Sequence, residues 1–256
     1  MNTLGADVEV FLRDGERYKS AVGLIGGSKE KPLLVDNGNL QEDNVMAEFA
    51  IDPADNVDDW KNNIFNVLNQ LSSAVSHHSL HFDVVSSVKF PKSELNTKQA
   101  RVFGCDPDYN AYKAAPNPAP NPRSVGNLRT AGGHIHMGIP NDYINPMDMM
   151  ELAKYMDVFL GLPSVLADED QQRRSMYGMA GSFRPKPYGL EYRTLSNFWI
   201  KTEGLAEWAY YASQSAWCAF MNDEQYNFEE VETIINNSDV GGAKKVMEQH
   251  GIKEAA

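Results

Sequence analysis

The sequence predicts a single α+β domain. Three observations lead there. Short apolar segments alternate with period two, longer segments carry apolar residues at helical spacing, and no repeat or composition break divides the 256 residues. That length is enough to bury a large core. Acidic residues outnumber basic ones, 35 to 23, for a formal net charge of -12. Such a balance argues against a general nucleic-acid or membrane-surface binder, while a locally basic pocket for anions stays compatible with it. Two distant cysteines, Cys105 and Cys218, offer neither a disulfide framework nor a zinc knuckle and point to a reducing compartment. No apolar run reaches membrane-span length, and the strand pattern starts directly after Met1-Asn2-Thr3. The expectation is a cytoplasmic globular protein without a signal peptide.

The elements follow in order. "ADVEVFL" is a strand with Val8, Val10 and Leu12 on one face and Asp7, Glu9 and Phe11 on the other. "RDGERY" is a turn and "GLIGGS" a glycine-rich loop. "VMAEFAI" is a second strand, with Val45, Ala47, Phe49 and Ile51 opposite Met46, Glu48 and Ala50. A helix runs from about Asn56 to Ser76 on a stripe of Trp60, Ile64, Leu68, Leu71 and Val75. "LHFDVV" is a strand. Gly104 to Asn127 is proline-rich and predicts a long irregular loop near a site. "GGHIHMGI" is a strand, and Asn145-Pro146 opens a helix with Met149, Leu152, Met156, Phe159 and Leu160 inward. "SMYGMAGSFRPKPYG" reads as a loop feeding the strand "LEYRTLSNF". A helix spans Thr202 to about Asn222 around Leu205, Trp208, Ala212, Ala216 and Phe220. The tail predicts two short helices broken at Gly241-Gly242.

Ionisable groups sit inside these apolar strands at i, i+2 spacing: Asp7 and Glu9, His134 and His136, Glu191 and Arg193, with Glu48 in its own strand. Same-face neighbours on a strand lie roughly 6.5 to 7 Å apart, so two members of a pair reach different ions. Gathered carboxylates repel one another and resist desolvation, which bound cations relieve. Oxygen-rich ligands favour magnesium or manganese over structural zinc. Arg173, Arg174, Arg184 and Arg193 crowd one segment, and Arg123 and Arg129 flank the loop before the histidines. A guanidinium fork suits phosphate and carboxylate oxygens. There is neither a Walker A pattern nor GxGxxG, so a nucleotide would not sit on a P-loop or Rossmann turn.

Taken in order, "ADVEVF", "VMAEFAI", "GGHIHMG" and "GLEYRTLSNF" resemble the glutamine synthetase and glutamate–cysteine ligase superfamily. The resemblance is closest to the phage-encoded COOH–NH2 ligases of type 2 and runs from about Gly5 to Phe198. It implies a curved antiparallel sheet, a half-barrel like the glutamine synthetase catalytic domain, backed by helices. It implies ATP and two or three divalent ions, Mg2+ or Mn2+. Asp7 and Glu9 match the first acid pair, with Asp standing where Glu is usual, and Glu48 matches the acid of the second strand. Glu42 and Asp43 are both candidates for a further acid. His134 matches a metal-binding histidine and His136 one nearer the phosphates. Glu191 matches a late metal ligand. Arg193 matches the arginine on the transferring phosphoryl group, Arg184 resembles a nucleotide- or phosphate-contacting arginine, and Arg173 is grouped with them. The small amino-terminal domain of glutamine synthetases has no counterpart ahead of Asp7, so their dodecamer is not implied.

The functional expectation is an ATP- and divalent-metal-dependent carboxylate–amine ligase acting through an acyl phosphate on small-molecule or peptide substrates. Its metal ligands are Asp7, Glu9, Glu48, His134 and Glu191. Its nucleotide contacts are His136, Arg184, Arg193 and Arg173, and its catalytic groups Arg193, Arg184 and Glu48. No nucleic-acid or membrane partner is expected, and a phage-encoded protein of this kind would act in the host cytoplasm. Three rivals use the same residues: a kinase on the same fold, a metal-dependent hydrolase using His-x-His, and a nucleotide- or metal-binding protein without turnover.

Overall fold

The computed structural model describes residues 2–101, 108–118, 125–143, 145–168 and 171–256. In chain order the strands are β1 (Thr3–Asp14), β2 (Arg17–Lys19), β3 (Leu33–Val35), β4 (Gly38–Asp43), β5 (Met46–Ile51), β6 (His81–Asp83) and β7 (Ser87–Lys89). They continue with β8 (Tyr109–Asn110), β9 (Ala115–Pro116), β10 (Leu128–Thr130), β11 (Gly133–Gly138), β12 (Ser182–Lys186) and β13 (Gly189–Tyr192). The longer helices are α1 (Val57–Ser76), α2 (Pro146–Met156), α3 (Glu203–Met221), α4 (Phe228–Asn237) and α5 (Val240–His250).

Strand β1 is the axis. Antiparallel pairing gives the order β3-β4-β5-β1-β11-β13-β12-β8-β9, and β2 and β6 pair with the far end of β1. β7 and β10 form a separate ribbon. The predicted α+β organisation, an antiparallel sheet backed by helices, is therefore the observed one. Period-two alternation divides β1 as the sequence implies: Leu4, Ala6, Val8, Val10 and Leu12 are buried in the main core with α1, α2 and α3. Phe11, on the other face, joins a smaller cluster with Val45, Met46, Val88 and Phe90. That leaves Asp7 and Glu9 on a face the main core does not cover.

The helices begin where their caps predict. Asn56 accepts from the Asp59 N–H, Asn145 from Met147 and Asp148, and Thr202 from Leu205. α2 runs on through a π-turn, Asp157–Gly161, into a helical stretch Leu162–Ala167. Within the π-turn, buried Asp157 accepts from the Tyr192 hydroxyl and the Gly181 N–H, both at 2.6 Å, and so ties β13 and the start of β12 to the helices below. Burial pushes its carboxyl up to about 7, against the pull of these donors. Behind the sheet, Trp60 and Trp199 stack with centroids 5.5 Å apart. The Trp60 indole donates to the Ala206 carbonyl (2.8 Å) and the Trp199 indole to that of Gly133 (3.1 Å), the first residue of β11.

Four expectations are corrected. The loop "SMYGMAGSFRPKPYG" contains β12. Pro185 lies beyond the short pairing with β8, where a missing N–H leaves no ladder bond unmade. Within Gly104 to Asn127, the described residues include the β8–β9 hairpin, while Cys105 and Arg123 lie outside the described residues. Val45 belongs to a turn and packs in the small cluster rather than beside Ala47. The tail helices part at Ser238, which is left-handed (φ 51°), and not at Gly241-Gly242; Asp239 caps the second helix by accepting from Gly242. No helix among the described residues is long and apolar enough to cross a membrane.

Asn197, fully buried, donates to the carbonyls of Glu9 (2.8 Å) and Val85 (3.1 Å) and so fixes the backbone of β1 at Glu9. Asn197→Ala leaves both carbonyls without that donor. The expected loss is about 2–4 kcal/mol of unfolding free energy, read from urea denaturation; a variant within 0.5 kcal/mol of wild type, the range of a neutral surface change, would deny Asn197 this role.

Candidate active site

Directly opposed residues of antiparallel strands share a face. The register therefore lays the sequence-predicted residues out in three rows. Gln41, Glu48 and Glu9 lie side by side across β4, β5 and β1. Asn39, Ala50, Asp7 and His134 form the next row, from β4 to β11. Gly5, His136, Glu191 and Arg184 form the third, from β1 to β12. Arg193, two residues beyond Glu191, comes beside His134 of the second row. Gly132 and Gly133 explain the start of the histidine strand. A Cβ on Gly132 would run into the His134 ring, and one on Gly133 would meet the Ser196 carbonyl and the Trp199 indole. Only bare backbone lets the two histidines be presented here against the tryptophan core.

Two groups of donors result. Asp7, His136 and Glu191 bring ligand atoms within 4.8 Å of one another, and so do Glu9, Asp43 and Glu48. Around the first group, His134 Nδ1 lies 2.5 Å from Asp7 Oδ1, and His136 Nε2 lies 3.0 Å from Asp7 Oδ2. Glu191 is fully buried and receives Arg184 (3.2 Å), Lys186 (2.7 Å) and, in closest contact, Arg193. Arg193 Nε lies 3.7 Å from Asp108, and its Nη1 is 3.3 Å from His134 Nδ1. In the second group, Glu9 accepts the Gly132 N–H at 2.5 Å. A cavity of about 500 Å³ adjoins both groups, with Asp7, Glu48 and His136 on its wall together with Asn39, Gln41 and Tyr188.

The two groups differ in charge. Burial, then Asp43, pushes Glu9 up to about 8, against the Gly132 N–H, Arg193 and Arg173. Burial and the neighbouring carboxylates of Asp7, Asp43 and Glu9 hold Glu48 well above its ordinary value, and burial raises Asp43. Asp7 and Glu191 go the other way. Burial opposes ionisation of Asp7, but His134 and His136 prevail and hold it well below the usual range. Burial and Asp7 oppose ionisation of Glu191, but Arg193, His134 and Arg184 bring it to about 2. Burial and Arg193 lower His134 to about 4, so it is neutral at pH 7 and donates from Nδ1 to Asp7. A hard divalent cation suits this donor set. The oxygen-rich group Glu9–Asp43–Glu48 holds carboxylates whose mutual repulsion a cation would relieve, and the other adds one imidazole to two carboxylates.

The structure thus brings together Asp7, Glu9, Glu48, His134, His136, Glu191, Arg184 and Arg193. Both histidines lie against these acids: His136 Nε2 is 3.0 Å from Asp7, and His134 Nδ1 is 2.5 Å from Asp7 and 3.7 Å from Glu191. Of the two acids weighed for β4, Asp43 joins Glu9 and Glu48, whereas Glu42 accepts the N–H groups of Gly23, Ile25 and Gly26 and shapes the glycine-rich loop. Arg173 acts on Glu9 through its charge while its hydrogen bonds go to the main chain. Its guanidinium, buried, donates to the carbonyls of Arg193 (3.0 Å) and Thr194 (2.8 Å). Arg174 is likewise buried, on the Ser164 carbonyl and hydroxyl, and Arg129 bonds the carbonyls of Ala100, Gly126 and Leu128. Lys186, Asp108 and Tyr188 were not expected. Lys186 was legible as the i+2 partner of Arg184 had β12 been read as a strand.

The pH dependence of the metal-free protein follows from these directions. Glu9, Glu48 and Asp43 bind protons more tightly folded than unfolded, so their contribution is full below the ordinary values, 4.5 for the glutamates and 3.8 for Asp43, and is lost as pH rises, for Glu9 on approaching about 8. Asp7 and Glu191 are depressed and their contribution disappears only in stronger acid. In chelator, the melting temperature is expected to be higher at pH 5.5 than at pH 8. Glu9→Gln should melt at or above wild type at pH 8 and show a flatter profile. An unchanged slope in the variant would mean Glu9 titrates as an ordinary solvated acid.

The chain aligns in space with a crystal structure described as a novel glutamine synthase homolog, at 13% identity and a TM-score of 0.45, covering 97% of this chain and 66% of that one. It therefore spans just under two thirds of that chain's length. No curated protein matches it in sequence. The resemblance read from the sequence is borne out by a family match: residues 127–222, which carry His134, His136, Arg184, Glu191 and Arg193, match the Phage phiEco32-like COOH.NH2 ligase-type 2 family.

Proposed function

We propose that this protein is an ATP- and divalent-metal-dependent ligase that joins a carboxylate to an amine through an acyl phosphate. The family match supports a carboxylate–amine ligase. The observation that carries the finer reading is the pair of donor groups, Asp7–His136–Glu191 and Glu9–Asp43–Glu48, on one sheet face beside Arg184, Lys186 and Arg193. These residues would hold Mg2+ or Mn2+, which supplies charge neutralisation for phosphate oxygens and polarises the transferring phosphoryl group. The adjoining cavity, about 500 Å³, is within the range of small-molecule sites and would take the nucleotide.

The chain's own residues then have distinct tasks. His134 donates to Asp7 and keeps that carboxylate turned toward His136. Arg184 and Lys186 neutralise Glu191 in the metal-free state. With a cation held at Glu191, Arg184 and Lys186 would be available to pair with phosphate oxygens instead. Arg193 is held along its whole length: its N–H donates to the Ser182 carbonyl at 2.8 Å, its carbonyl accepts from Arg173, and its guanidinium lies between Glu191 and Asp108. A planar fork so fixed would present its charge to a transferring phosphoryl group. Phosphate is then the leaving group when the amine attacks the acyl carbon. The substrates would be small molecules or peptides, and the acidic surface charge makes nucleic acid a poor partner.

Three measurements test this. Calorimetry with ATP should show binding in Mg2+ or Mn2+ and its loss in chelator; equal affinity in both would reject the metal assignment. A screen of carboxylates and amines should find substrate-stimulated release of ADP and inorganic phosphate. AMP and pyrophosphate would indicate adenylation, and ADP without phosphate a kinase. Arg193→Lys is expected to lower turnover by about 100-fold or more while ATP affinity stays near wild type. Near-normal turnover in that variant would remove Arg193 from the chemistry.

A further inference from the structure

Tyr188 belongs to neither donor group, yet it is built into the site. It sits in the turn between β12 and β13, where its carbonyl accepts the Ile139 N–H at 2.9 Å. Gly189, next to it, has φ 147°, and a side chain there would collide with the Met137 carbonyl. The backbone of the turn is thus seated against the end of β11. From it the Tyr188 side chain reaches back to His136 and meets it hydroxyl first, the two rings nearly parallel (20°) with centroids 6.1 Å apart. Its hydroxyl lies 2.6 Å from His136 Nδ1, and the residue lines the 500 Å³ cavity while 45% exposed.

A neutral imidazole carries one N–H. His136 Nε2 faces Asp7 Oδ2 at 3.0 Å, and a carboxylate only accepts. In the metal-free state Nε2 therefore holds the proton, and Nδ1 accepts from the Tyr188 O–H. Service beside Asp7 and Glu191 as a ligand requires a bare Nε2 lone pair. The ring, still neutral, must then carry its proton on Nδ1 and needs an acceptor there. A hydroxyl is both donor and acceptor, whereas a main-chain carbonyl only accepts and an ammonium only donates.

We propose that Tyr188 is a positioning residue whose hydroxyl reverses from donor to acceptor as His136 changes tautomer, so that His136 serves both the metal-free and the cation-bound site. The proton leaves Nε2 and Nδ1 gains one through water, so the ring's proton count is unchanged. In the reversed state the Tyr188 O–H hydrogen points away from His136, toward the cavity walled by Asn39 and Gln41. A ligand in the cavity then meets a donor that it does not meet in the metal-free protein. The inference rests on the cation-binding reading above.

The test uses Mn2+ alone in calorimetry on wild type, Tyr188→Phe and, as a control, Tyr211→Phe, an exposed tyrosine on α3. Phenylalanine keeps the ring beside His136 and removes only the hydroxyl. Tyr188→Phe is expected to weaken Mn2+ binding by about 10- to 100-fold, as loss of a ligand's hydrogen-bond partner does; Tyr211→Phe should bind as wild type. Nitrogen-15 spectra of the His136 ring should show the proton on Nε2 without Mg2+ and on Nδ1 with it. Equal Mn2+ affinity in Tyr188→Phe, or a ring that keeps its Nε2 proton in Mg2+, overturns this inference alone. A wild-type protein without affinity for Mn2+ overturns the metal reading itself.

Discussion

A carboxylate withdrawn from water must find compensating charge or a proton, and this sheet gathers Asp7, Glu9, Asp43, Glu48 and Glu191 on one face. The rest of the molecule is arranged around that constraint. On the β11–β13 side the compensation is internal: histidine N–H groups for Asp7, and Arg184, Lys186 and Arg193 for Glu191. On the β4–β5 side it is incomplete, and Glu9 holds a proton up to about pH 8. Without a cation, the sheet is therefore divided along β1 into a half whose carboxylates are paired internally and a half whose carboxylates are not.

Such a face needs a rigid back. Main-chain ties supply it. The indole of Trp199 holds the Gly133 carbonyl, Asn197 holds that of Glu9, and Arg173 holds those of Arg193 and Thr194. Three of these donors come from the segment just after β13 or from the helical turn before β12. The residues that present charge and the residues that fix its position are thus near neighbours in sequence. Asp157 adds a tie from the helical layer through Tyr192 and Gly181.

Much of this was legible, for a physical reason. Period-two alternation fixes which residues share a face without reference to anything distant, so Asp7 with Glu9 and His134 with His136 were read directly. The helix starts were marked by Asn56, Asn145 and Thr202, whose caps are local chemistry. What failed depended on pairing. Asp43 and Glu42 are indistinguishable by composition. The two-residue turn at Asn44 and Val45 sets Gln41 opposite Glu48, and this puts Asp43 on the shared face and Glu42 off it. β12 was hidden because proline and glycine signal loops in isolation, whereas a strand with one free edge tolerates Pro185. Arg173 and Arg174 look like anion binders by type, and only burial reveals that they bond main-chain carbonyls and a hydroxyl.

The central place of β1 has a kinetic consequence. Its partner β5 follows within a few dozen residues, but His134, across from Asp7 on the other side, is 127 residues further along the chain. Closing so long a loop is entropically slow and must precede any gain from the contacts it brings. The Glu9–Asp43–Glu48 group can assemble from the first fifth of the chain, whereas the Asp7–His136–Glu191 group exists only when the last strands have docked. On a growing chain, one half of the acidic face would form long before its counter-charges are synthesised. Early folding therefore takes place with the carboxylates protonated or solvated, and the final docking of β11 and β13 is the event that converts a solvated strand into a desolvated ionic surface.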